Sequence, residues 1–156
     1  MIDELIKYNI IKTGEFTLKS GESSHFYINL KEIISYPKLH KILCENLIEK
    51  INVNTDLIVG TPYGAVPFTS YISIEKEISM LFLRKQPKSY GTKKLIEGIY
   101  EKGHNVVLLE DVITTGQSVM EAAETLEKDG LNVIQIISVI SRSKNKNLKY
   151  KDIPIE

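Results

Sequence analysis

An α/β fold, a mainly parallel central sheet flanked by helices, is predicted by three features of this chain. Short continuous apolar runs recur at 56–60, 80–83, 106–109 and 133–140, the form taken by parallel strands buried on both faces. Amphipathic helical spacing appears before and between them. Strands alternating with helices give a sheet whose ligands bind at the carboxyl ends of the strands.

The elements follow in order. Phe16-Thr-Leu and Phe26-Tyr-Ile-Asn-Leu30 flank a Ser-Gly-Glu-Ser-Ser turn and read as a hairpin appended to the sheet. Leu39, Ile42, Leu43, Leu47 and Ile51 recur at helical spacing and predict a helix over 38–51. The run 56–60 ends in Gly60, and the runs 80–83, 106–109 and 133–140 complete the expected strands. Val119, Ala122, Ala123 and Leu126 form a second helical stripe that stops at Gly130. Residues 143–156 are polar and rich in Lys and Asn, and read as a surface tail, partly mobile.

Composition narrows the classes of function. With 156 residues the chain has the length of one domain. Twenty basic residues balance twenty acidic ones, so no long-range field favours nucleic acid or a membrane surface, and any cationic ligand site must be local. The N-terminus carries acidic residues and no apolar core of signal-peptide length, and no stretch approaches the roughly 20 apolar residues of a membrane span. The cytosol is the expected compartment. Cys44 is the single cysteine and lies in a helical pattern, where a small buried residue is the simplest reading. Of the three histidines, His40 and His104 read as structural or surface residues, and His25 at the hairpin stays open. Tyr27 and Tyr36 read as packing.

Chemistry concentrates in Asn105-Val-Val-Leu-Leu-Glu-Asp-Val-Ile-Thr-Thr-Gly-Gln-Ser118. An apolar strand runs into two adjacent carboxylates, then a small-residue turn, then the second helix. Backbone N–H groups of such a turn and of the helix start make a phosphate receptor, to which Thr114, Thr115 and Ser118 add hydroxyls. The pattern is neither a Walker loop nor a dinucleotide fingerprint. Glu110 and Asp111 stand where neighbouring carboxylates are costly unless they meet hydroxyl donors, a cation or developing positive charge. A second segment, Leu83 to Gly98, gathers Arg84, Lys85, Lys88, Lys93 and Lys94 in an otherwise neutral chain. Taken alone such a run is a solvated loop; at a strand's carboxyl end it becomes a cationic lid able to neutralise charge on a departing anion.

The string 105–118 resembles the phosphoribosyl-diphosphate motif of type I phosphoribosyltransferases. Three further segments resemble the orotate phosphoribosyltransferases within that family. They are Phe16 to Lys31, Val59-Gly-Thr-Pro-Tyr-Gly-Ala-Val-Pro67, and Leu83 to Gly98, whose Tyr-Gly-Thr-Lys-Lys wording is similar to the orotate domain of UMP synthases. The resemblance implies one domain over 1–156, with an N-terminal hood over 1–35, a core over 36–142 and a short tail over 143–156. No decarboxylase domain is expected in these residues.

It also implies roles. Glu110 and Asp111 hold the ribose hydroxyls, and Thr114, Thr115, Gly116, Gln117 and Ser118 hold the 5′-phosphate. Tyr63 belongs to a diphosphate loop with a non-proline cis peptide between Pro62 and Tyr63. Arg84, Lys85 and Lys88 contact diphosphate, Lys88 acting on the leaving group; Lys19 reaches the substrates from the hairpin, and Arg142 recognises orotate. The implied reaction turns orotate and phosphoribosyl diphosphate into orotidine 5′-phosphate and diphosphate in UMP biosynthesis. The implied cofactor is Mg²⁺, held largely by diphosphate and ribose oxygens, which is consistent with a sequence that offers no cluster of ligands at metal-binding spacing. The implied assembly is a homodimer in which the loop 84–94 completes the neighbouring site.

The sequence departs from the family pattern at His25-Phe26 and at Asn29-Leu30-Lys31 on the hairpin, and typical members continue through a further strand and helix beyond Arg142. Two other readings stay open: a phosphoribosyltransferase for another base, and a non-catalytic protein that senses phosphoribosyl diphosphate on the same fold.

Overall fold

The computed structural model describes residues 2–17, 21, 23–86 and 94–156. The chain divides into two compact units, Met1–His40 and Lys41–Glu156.

The first unit opens with a short helix, α1 (Ile2–Lys7), which has Asp3 and Glu4 in its first turn and Lys7 in its last, the order that complements the helix dipole. Strands β1 (Ile11–Thr17) and β2 (Ser23–Ile28) pair antiparallel, with Ile11 opposite Ile28. This is the predicted hairpin, but it forms a two-stranded sheet of its own rather than extending the central one. Of its described residues only Ser24 is buried; a strand inside a covered sheet needs a continuous apolar run, and neither strand has one. Asn29 ends β2 by donating its side-chain amide to Glu32 Oε1 at 2.7 Å, which turns the chain into a 3₁₀ segment, Leu30–Ser35. Lys19 lies outside the described residues.

Helix α2 (Pro37–Ile48) stops three residues short of the predicted end. Lys50 and Ile51 instead donate to Leu47 and Ile48 carbonyls, and Gln135 closes the turn by accepting from Asn52 N–H and donating to Lys50 O. In the second unit, strand β3 (Leu57–Gly60) is followed by helix α3 (Val66–Lys76), strands β4 (Ser79–Leu83), β5 (Ile96–Glu97) and β6 (Asn105–Ile113), helix α4 (Gln117–Lys128) and strand β7 (Asn132–Ser141). The sheet order is β5-β4-β3-β6-β7; only β5 is antiparallel. Leu57, Val59, Leu81, Leu83, Val106 and Leu108 share one core with Val119, Ala122, Ala123 and Leu126 of α4. Residues of the other parity, Ile58, Val107 and Leu109, are fully buried as well, as strands covered on both faces must be. Cys44 is buried, and burial, with Glu45 adding to it, pushes its thiol up to about 12. That leaves it a packing residue.

The expected surface tail is largely exposed, as read, with Tyr150 alone buried, but it carries regular structure. Its residues build a small antiparallel pair, β8 (Lys149–Tyr150) and β9 (Ile153–Pro154). Ile155 bridges to Ile136 of β7. Tyr150 is buried in the core, donates to Glu127 Oε2 at 2.6 Å and shares that oxygen with Lys151. The polar average of the segment conceals Leu148, Tyr150, Ile153 and Ile155, which suffice to dock it.

Candidate active site

The site is assembled where strands of unequal length end. The strand expected at 106–109 runs on to Ile113, paired with β7 as far as Ile113 opposite Ser141. Its pairing with β3 stops at Leu109 opposite Gly60. Glu110 and Asp111 therefore project past the end of β3, and the loop that leaves β3 fills the space beside them.

That loop fits closely. Thr61 N–H donates to Leu109 O at 2.9 Å, and Thr61 Oγ1 donates to Glu110 Oε1 at 2.6 Å. The Pro62–Tyr63 peptide is cis, as the resemblance implied. A Cβ at Gly64 would stand 1.7 Å from Asp111 Oδ2, so only glycine lets the loop backbone lie against this carboxylate. The Tyr63 ring stacks on Phe82 at 6.3 Å, and Lys85 Nζ sits 5.0 Å from the centre of the Tyr63 ring. The basic segment and the cis loop thus meet through an aromatic ring.

The two carboxylates differ in environment. Glu110 is only 7% exposed, whereas Asp111 is half-buried. Burial pushes the Glu110 carboxyl up to about 7; the Thr61 hydrogen bond opposes the rise and the neighbouring Asp111 carboxyl adds to it. A carboxyl that carries a proton near neutrality offers a donor as well as an acceptor to a hydroxyl-bearing ligand.

Beyond β6 the turn takes the predicted form. Gly116, at φ +82°, begins α4 with the left-handed geometry that suits glycine. Thr114, Thr115, Gln117 and Ser118 are exposed around it. Gln117 N–H donates to Thr115 Oγ1 at 3.4 Å, and the Gln117 side chain donates to Glu121 Oε1 at 2.8 Å, along the helix. The first N–H groups of an α-helix lack intrahelical partners and are the kind of donors that receive an anion. A Cβ on Gly116 would lie 2.7 Å from Leu148 Cδ2. The tail therefore supports the turn from beneath.

Arg142 follows β7 directly, and its backbone N–H donates to Ile113 O at 2.7 Å, which places it at the same end of the sheet. Arg84 also stands at that end, where its Nε donates to Glu97 Oε1 at 2.7 Å. Lys88, like Lys19, lies outside the described residues. Among the described residues the structure thus brings together Glu110, Asp111, Tyr63, Lys85 and the turn 114–118. Sequence reasoning missed Thr61, Gly64, Glu97 and Leu148 as parts of this assembly. Thr61, Gly64 and Glu97 lie inside segments that the sequence reading singled out and were within reach; Leu148 carried no local signal. His25 lies exposed on β2, in the first unit.

Among the described residues no group of three or more His, Cys, Asp or Glu is placed to hold a metal ion, and no helix is long and apolar enough to cross a membrane.

Comparison with known proteins gives the same direction. The model of the phosphoribosyl transferase domain matches residues 32–154. The chain is 40% identical to the orotate phosphoribosyltransferase of Caenorhabditis elegans, over 91% of its own length and 64% of that protein's. It is 41% identical to the orotate phosphoribosyltransferase of Pyrococcus horikoshii, over 92% of its own length and 79% of that protein's. The solved UMP synthase of Leishmania donovani superposes with a TM-score of 0.80 at 31% identity, over 99% of this chain and 34% of that one.

Proposed function

The chain belongs to the phosphoribosyl transferase family, among the orotate phosphoribosyltransferases, and from that premise we propose that it transfers the 5-phosphoribosyl group of phosphoribosyl diphosphate to a ring nitrogen of orotate. The products are orotidine 5′-phosphate and diphosphate, a step of UMP synthesis. The observation that carries this reading is the Glu110–Asp111 pair, held against the cis loop by Thr61 and Gly64 and followed by the open turn at 114–118.

The proposed mechanism uses these groups in order. The N–H groups at the start of α4, with Thr114, Thr115 and Ser118, take the 5′-phosphate. Glu110 and Asp111 bind the ribose hydroxyls and stabilise the anomeric carbon as it gains oxocarbenium character. Lys85, Arg84 and Lys88 take up the charge of the leaving diphosphate, Tyr63 lines its loop, and Arg142 binds orotate. A planar guanidinium suits a ring that carries carbonyls and a carboxylate.

Magnesium fits this site as a substrate-held ion. Among the described residues the site offers two adjacent carboxylates, one of them, Glu110, already engaged by Thr61, and Mg²⁺ takes one or two such carboxylates while keeping phosphate oxygens and water. Asp111 is the residue that would meet it, and when bound the ion neutralises diphosphate charge. The protein is proposed to act in the cytosol as a homodimer, the loop 84–94 of one subunit completing the partner's site.

The test is orotate consumption, followed by absorbance, with phosphoribosyl diphosphate and Mg²⁺ present. Turnover by the purified protein that is lost in Lys88→Ala is the expected result. Tight binding of phosphoribosyl diphosphate without turnover would overturn it in favour of a sensor, and turnover of a different base would identify a relative with altered specificity.

A further inference from the structure

The base of the basic segment is tied by a contact that the proposed mechanism leaves unused. Phe82 and Leu83 of β4 pair with Glu97 and Ile96 of β5, and Arg84 N–H donates to Leu95 O at 2.8 Å. These backbone bonds already close the two ends of the segment. Arg84 Nε nonetheless donates to Glu97 Oε1 at 2.7 Å, with side chains 35% and 34% exposed. An ion pair this exposed adds little stability, so the clasp itself does not account for the pairing. What the pair does fix is the guanidinium. Among the described residues its Nε–H is engaged by Glu97, and the side chain springs from the carboxyl end of β4, next along the chain to Lys85, whose own Nζ lies over the Tyr63 ring.

We propose that Glu97 is a positioning residue that aims the Arg84 guanidinium at the diphosphate and, by its own charge, weakens the hold of that guanidinium on the product. This rests on the reading of Arg84 as a diphosphate contact. A guanidinium never loses its charge in a protein. Beside diphosphate, an unpaired Arg84 would bind substrate and product alike, and such uniform binding does not raise turnover. A carboxylate at hydrogen-bond distance holds the planar group in one orientation. It also competes with the arriving anion, which keeps the contact reversible.

The two parts of the role separate in two substitutions. Glu97→Gln keeps an acceptor oxygen for Nε and removes the charge; Glu97→Ala removes both. Titration calorimetry with inorganic diphosphate reads binding without turnover, and steady-state assays divide KM for phosphoribosyl diphosphate from kcat. Glu97→Gln is expected to bind diphosphate about threefold to fivefold tighter, the scale of a partly screened charge pair. KM should fall in parallel, kcat should fall through slower release, and the thermal midpoint should stay unchanged. Glu97→Ala is expected to raise KM and lower kcat, since Arg84 loses its aim. In an Arg84→Ala background the Gln substitution should no longer change the affinity for diphosphate. Active wild-type protein whose Glu97→Gln variant binds diphosphate as before, or whose change persists without Arg84, overturns the proposal alone. Wild-type protein that neither binds diphosphate nor consumes orotate overturns the functional reading and this one with it.

Discussion

Charge is held by opposite means at the ends of β6 and β4. At β6, Glu110 is 7% exposed, bonded to Thr61, and neighboured by an Asp111 that packs against a glycine backbone. At β4, Arg84 and Glu97 are each about a third exposed, and Lys85 leans on an exposed tyrosine ring. Burial fixes a carboxylate in place but shifts its proton affinity, because desolvation penalises the charged form. Exposure fixes little, yet it keeps the exchange of one partner for another cheap. The proposed reaction, which must hold a sugar still and also release a highly charged product, has reason to use both.

The sharpest way to break this contrast is at Gly64. Gly64→Ala places a methyl group 1.7 Å from where Asp111 Oδ2 now lies, so the loop and the carboxylate must separate. A displacement of about 1 Å in a positioned group costs on the order of 10²-fold in rate. Steady-state kcat/KM is expected to fall by that order, and a loss under about threefold would mean the fixed end is less fixed than its packing implies.

A smaller effect separates the ends by pH. The Glu110 carboxyl sits near 7 in the folded protein, against an ordinary 4.5. Between those values the folded chain keeps a proton that the unfolded chain has released, so stability falls as pH rises through this window. The contribution is whole below about 4.5 and gone once pH passes about 7. Denaturant midpoints measured from pH 5 to 8 should therefore decline more steeply for wild type than for Glu110→Gln. Parallel curves would show that Glu110 titrates as an ordinary exposed carboxylate.

The smallest effect is expected at the exposed end. Lys85→Met removes the cation over Tyr63 and should change unfolding free energy by about 0.5 kcal/mol, while raising KM for phosphoribosyl diphosphate. A larger stability change would place Lys85 with the fixed groups.

The legibility of the chain follows the same division. The buried parallel strands and α4 were readable, because an apolar run and a helical stripe are local patterns that burial demands. Helix α3 was not, since Val66, Phe68, Ile72 and Ile74 fall on no single stripe and Ile74 is exposed. β5 is two residues long, below the length at which alternation carries information. The short strands of the tail were missed because its few apolar residues are diluted by lysine and asparagine.

By itself the sequence determined the kind of sheet, the turn from β6 into α4, and which segments carry charge, since each depends on residues adjacent along the chain. The tertiary structure decided how those charges are used. Thr61 meets Glu110 across 49 positions, Arg84 meets Glu97 across 13, Gly64 admits Asp111, and Leu148 supports Gly116. Such pairings depend on where strands of different length stop and what packs into the remaining space, and close packing, unlike periodicity, leaves no repeating mark in the order of residues.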